Sequence, residues 1–154
     1  MRTAWRPPPW FAAPAPRIRF LHELKAVGAT THPATKQYPG GFHIHLTLHA
    51  DGLPARQVCI QFSQHSPDTP RVSVGGPSRS PHRYSDGTLC MWHPDDPRHT
   101  RWVPGDGAAD LVTRIAVHLI KEAWWRRTAE WIGPEVTHGD PDPLNDPRPH
   151  IETD

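Results

Sequence analysis

Phe42-His43-Ile44-His45-Leu46-Thr47-Leu48 alternates without a break. Phe42, Ile44, Leu46 and Leu48 point to one side, and His43, His45 and Thr47, with His49 beyond them, point to the other. That two-residue period predicts a strand with one buried face. Working outward, Asp51-Gly52 supplies a turn signal. The next run repeats the pattern, with Val58, Ile60 and Phe62 inward and Gln57, Cys59 and Gln61 outward. A loop from Ser63 to Pro70 then leads to a short third strand, Arg71 to Val74, with Val72 and Val74 inward. Consecutive strands joined by short connections predict an antiparallel meander.

The pattern changes on both flanks of this sheet. Before it, Ile18, Leu21 and Leu24 recur every three residues, which predicts a short amphipathic helix from Arg17 to Val27, stopped by Gly28. After Pro104 the period is again helical. Leu111, Ile115 and Leu119 form a stripe supported by Val112, Ala116 and Ile120, with Asp106 or Asp110 as the candidate cap and an end near Arg127. The stripe is expected to cover the apolar face of the meander.

The chain has 154 residues, 17 Lys+Arg against 16 Asp+Glu, and 12 histidines that add charge only below about pH 6.5. This balance points to no nucleic-acid partner. No apolar run approaches the ~20 residues of a membrane span, so no membrane partner is expected. Two cysteines, Cys59 and Cys90, make no disulfide framework, and a cytoplasmic protein with reduced thiols is the simplest expectation. Five of the 20 prolines lie within residues 1–16 and five between Pro134 and Pro149. Proline opposes regular structure, so the expected organisation is an N-terminal arm over 1–16, one α+β domain over 17–138 and a proline- and acid-rich tail over 139–154. Trp5, Trp10 and Phe11 read as an arm lying on the domain, or else as a docking motif for a partner.

The segment between sheet and second helix carries the chemistry. It reads Ser80-Pro81-His82-Arg83-Tyr84-Ser85-Asp86-Gly87-Thr88-Leu89-Cys90-Met91-Trp92-His93-Pro94 and closes with Trp102-Val103-Pro104. Taken alone, Cys90 reads as a small buried hydrophobe or as a nucleophile presented after an Asp-Gly turn. The surrounding wording resembles the active-site segment of ubiquitin-conjugating enzymes, in particular their divergent bacterial branch. That pattern is His-Pro-Asn, an aromatic residue, Gly-x-x-Cys, Trp-x-Pro, then an amphipathic helix. Pro81, Tyr84, Gly87, Cys90 and Trp102-Val103-Pro104 fall in register. Ser80 stands at the histidine position and His82 at the asparagine position. The resemblance spans roughly Tyr38 to His138, and Trp131 to His138 looks like the tail of the bacterial branch.

The resemblance implies a ubiquitin-conjugating-like fold, a meander backed by helices. It implies a transferase that carries an activated protein C-terminus as a thioester on Cys90 and passes it to an amine. The implied partner is a ubiquitin-like protein, or a nucleotidyltransferase of cyclic-nucleotide anti-phage systems. No glycine-rich nucleotide loop is present, so a separate activating enzyme or an already activated partner is expected, and no cofactor. His82 is the candidate for oxyanion support or base work, or else a loop brace. Tyr84, Asp86, Asp95, Asp96 and Trp102 are candidate supporting residues. Asp86 reads first as a turn residue, with orientation of an acceptor amine as its alternative, and Asp95 and Asp96 share a loop where related enzymes often place an acid near that amine. The competing function is a non-catalytic adaptor of the same fold. A third is a metal binder through His43, His45 and His49, although no zinc motif supports it and a solvated face is the simpler reading.

Overall fold

The computed structural model describes residues 4–134. His138 and the expected tail over 139–154 lie outside the described residues. Two helices, α1 (Pro14–Ala26) and α2 (Gly107–Thr128), flank four strands in sequence: β1 (Thr30–Tyr38), β2 (Gly41–Leu48), β3 (Arg56–Ser63) and β4 (Ser66–Val74). The strands form one antiparallel sheet in the order β1-β2-β3-β4. The architecture is therefore α+β.

The central pair matches the alternation. Ile44 faces Ile60, Leu46 faces Val58 and Phe42 faces Phe62 across the β2–β3 ladder. These side chains are buried, and Val72 of β4 joins them. Leu111, Val112, Ile115 and Leu119 of α2 belong to the same core, as do Phe20 and Leu24 of α1. A stripe of period 3.6 has closed over a face of period 2, each hiding the other from water.

Four expectations need correction. A strand precedes the first expected one: β1 is polar, contains Pro33 and bulges between Thr31 and Ala34, with His32 at φ 53°. The expected loop from Ser63 to Pro70 is mostly strand, because β3 and β4 join through Gln64-His65 alone, with Ser63 paired to Ser66. Both surprises are edge strands, where proline costs no ladder hydrogen bond on the open side. The first helix starts at Pro14, not Arg17, with proline in its first turn where a missing N–H matters least. Its buried pair is Phe20 and Leu24, one turn apart, whereas Ile18 is 66% exposed. Finally, neither Asp106 nor Asp110 caps α2. Asp106 accepts from the Val103 amide and from Arg98 instead, and Asp110 pairs with Arg114. The Ala108 amide donates to Glu23 Oε2 of α1 at 2.8 Å, so the carboxylate of one helix caps the other.

The N-terminal aromatics divide. Trp5 is 82% exposed, while Phe11 is buried. Trp10 packs against Phe11, Phe20, Phe42 and Phe62, and its indole N–H donates to the Pro67 carbonyl of β4 at 2.8 Å. The arm thus lies on the domain at Trp10 and Phe11.

Candidate functional site

After β4 the chain turns back under the control of Arg56. This β3 residue donates to the carbonyls of Gly75 and Pro77. The residues from His82 to Cys90 then form a small hairpin of their own. Tyr84 N–H donates to the Thr88 carbonyl, Arg83 bridges Leu89, and Cys90 N–H donates to the His82 carbonyl at 3.0 Å. At the tip, Gly87 N–H closes the turn on the Tyr84 carbonyl, and Gly87 adopts φ +85°, a conformation that disfavours any side chain. On the returning arm, Leu89 N–H donates to the Val72 carbonyl, which ties the hairpin to β4.

Asp86 is a turn residue in this geometry. Its Oδ1 accepts from the Thr88 amide and hydroxyl, and its Oδ2 pairs with Arg71 of β4 at 2.7 Å. Burial pushes its carboxyl up, but Thr88 and Arg71 outweigh burial and hold it below the usual range.

A second anchor was not visible as a motif. The Arg83 guanidinium forms a bidentate pair with Glu122 of α2, both contacts at 2.7 Å, and gives a further N–H to the Gly87 carbonyl at 2.9 Å. Both side chains are almost wholly removed from solvent. Burial alone raises the Glu122 carboxyl. Hydrogen bonds from Arg83, His118 and Ser80 reverse that and bring it down to about 2. His118, one turn before Glu122, places Nε2 at 3.2 Å from the His82 carbonyl and 3.6 Å from Glu122 Oε2, and as the Nε2–H tautomer it donates. Leu111, Ile115, His118 and Glu122 are spaced by four, three and four. The signal was therefore available, as two polar residues within the buried stripe of α2.

Cys90 is 6% exposed. This corrects the expectation of a thiol displayed on a turn. Cys90 ends the returning arm rather than the tip, between buried Leu89 and half-buried Met91. Two clefts meet just past this arm. One, of about 510 Å³, is lined by Tyr38, His43, Arg71, Tyr84, Leu89 and Trp92, among others. The other, of about 440 Å³, lies between the loop after Cys90 and α2, lined by Trp92, Asp96, Arg114, His118 and Trp131. Met91 and Trp92 line both.

The remaining candidates spread out. The His82 ring is buried, with its centroid 4.3 Å from Trp131, edge to face. Tyr84 lines the larger cleft. Asp96 Oδ2 accepts from the His93 amide and so shapes its own loop, whereas the Asp95 side chain is 91% exposed. Trp102 is fully buried against Phe20 and Phe62, with its indole N–H on the Gly107 carbonyl, and supports the site from within the core. On the face of the sheet turned away from the core, His43 and His45 come together with Cys59, while His49 turns to the Thr31 hydroxyl at 2.9 Å. The alternative trio of histidines is thus broken at His49.

A family model described as Type II CBASS E2 protein matches residues 25–139. The chain belongs to that family. It is a bacterial E2-like protein of CBASS anti-phage systems. No curated protein and no solved structure matches it. The match covers the whole sheet, the hairpin ending at Cys90 and α2. No helix among the described residues is long and apolar enough to cross a membrane.

Proposed function

We propose that this CBASS E2 protein has the ubiquitin-conjugating-like fold and carries the activated C-terminus of a partner protein as a thioester on Cys90. One observation supports the reading: the sequence register that resembles conjugating enzymes holds Cys90 directly before Met91 and Trp92, the two residues that line both clefts. The thiolate attacks the activated carbonyl, forming a C–S bond as the activating group leaves. An acceptor amine then attacks the thioester, the Cys90 thiolate departs, and the amine proton passes to a base. The partner is a protein with an activated C-terminus, a ubiquitin-like protein or a nucleotidyltransferase of the same defence system, supplied by a separate activating enzyme. The larger cleft has room for an extended peptide tail beside Leu89.

In this reading the burial of His82 against Trp131, and the use of its carbonyl by the Cys90 amide, favour a brace over a base. Asp86 serves the turn and Asp96 its loop. Asp95, exposed and with only His93 Nδ1 3.5 Å from its Oδ2, is the acid open to orient an amine. The burial of Cys90 means that docking of the partner must uncover the sulfur, so iodoacetamide should label Cys59 before Cys90 in the free protein.

The test is a single-turnover assay that follows loading and discharge separately under non-reducing conditions. A reducible adduct is expected on wild type and on Cys59→Ser, and none on Cys90→Ala. Cys90→Ser should trap a more stable oxyester. His82→Ala should slow loading and discharge together; a selective loss of about 10²–10³ in discharge would make it an oxyanion or base residue instead. Full loading of Cys90→Ala would remove the enzymatic reading and leave an adaptor.

A further inference from the structure

The solvent face of the sheet carries a second cluster of chemically active side chains, remote in kind from the hairpin. His45 lies directly opposite Cys59 across the β2–β3 ladder, and His43 precedes His45 by two residues on the same face of β2. One ligand atom from each of the three lies within 4.8 Å of the others. Cys59 Sγ is 3.9 Å from His45 Nε2. Donor atoms bound to one tetrahedral zinc are separated by roughly 3.3–3.8 Å, given bond lengths of about 2.0–2.3 Å. Rotamer adjustments of well under an ångström per side chain would therefore bring the three onto one ion.

We propose that His43, His45 and Cys59 form a zinc site, two imidazoles and a thiolate, with the fourth position open to water or an external donor. The backbone preorganises it. Gly41 to Leu48 pairs without interruption to Ser63 to Arg56, so the three Cα positions are fixed before metal arrives. The donor set suits the ion: thiolate and imidazole favour zinc over magnesium or calcium. Gln61, opposite His43, approaches Cys59 Sγ with its side-chain nitrogen at 3.7 Å and stands as an outer partner for the sulfur. From β1, Ala34 lies opposite His45, and Lys36, opposite His43, holds its ammonium over the Tyr38 ring at 4.9 Å. Binding replaces the Cys59 S–H proton with zinc and releases that proton to solvent. His43 and Gln61 also line the larger cleft, so the open position lies near the space assigned above to a peptide. The zinc site does not depend on that assignment.

The experiment uses tag-free full-length protein and zinc alone. One equivalent should bind, and cobalt in its place should give a thiolate-to-metal charge-transfer band with tetrahedral d–d absorption. Cys59→Ala and His45→Ala should weaken zinc by at least about 100-fold, beyond the roughly 10–100-fold cost of losing an outer partner, which is the range expected for Gln61→Ala. Cys90→Ala and His49→Ala should leave it unchanged. In the unmodified chain, zinc should also protect Cys59, and not Cys90, from iodoacetamide, a readout that needs no variant to fold. Zinc affinity retained by Cys59→Ala, cobalt binding without the charge-transfer band, or alkylation of Cys59 unaffected by zinc would each overturn the site.

Discussion

The meander and the segment from Gly75 to Pro104 are held by different kinds of bond. In the meander, backbone ladders run the length of four strands, and side chains need only choose a face. In the segment, backbone bonds to the sheet are few, such as Leu89 on Val72 and Gly75 on Gln57, and charged side chains reach out to fixed elements: Arg83 to Glu122, Asp86 to Arg71, Arg98 to Asp106. A regular element distributes its stability over many equivalent contacts, whereas an irregular one concentrates it in a few. The thiol at Cys90 is positioned by the second kind.

The sharpest way to break this contrast is Glu122→Ala. It strands the Arg83 guanidinium in a nearly dry site and should cost about 3–5 kcal/mol in urea unfolding, with part recovered when Arg83 is replaced by Met as well. A cost below 1 kcal/mol would mean that the ladder holds the segment too. Acid probes the same pair without mutation. Glu122 sits at about 2 when folded against an ordinary value of 4.5, so its contribution is complete above pH 4.5 and is lost as pH falls from there toward 2. The loss should approach about 3 kcal/mol and should be missing from Glu122→Gln. In the meander, Ile60→Val removes one methylene from a fully buried position and should cost about 0.5–1.5 kcal/mol. The smallest effect is expected of Arg71→Ala. It removes only the exposed pairing with Asp86 and leaves the Thr88 bonds to that carboxylate in place, so about 1 kcal/mol or less should be lost in urea unfolding.

The same contrast explains what could be read in advance. Alternation from Phe42 to Leu48 and from Gln57 to Phe62 reports burial directly, because a ladder converts sequence parity into sidedness. β1 escaped because an edge strand needs little apolar content: of its nine residues only Thr30 is buried. The position of Cys90 was legible through wording and its burial was not, since that depends on Val72 and the hairpin pairing, which are distant from it in sequence or set by backbone conformation. Glu122 and His118 were hidden inside a stripe read for its apolar members. Cys59 reads only as outward, because nothing in one strand says which residue of the next will stand opposite a histidine.

Glu23 and Ala108, joined at the start of α2, lie 85 residues apart in the chain, with the entire meander between them. Such a contact cannot form until nearly everything it encloses has been ordered, since the loop it closes is so long. It is therefore expected among the late events of folding and the early ones of unfolding. Removing it with Glu23→Ala should leave the refolding rate almost untouched and quicken unfolding, so that one carboxylate on the first helix acts as a latch on the lifetime of the native state.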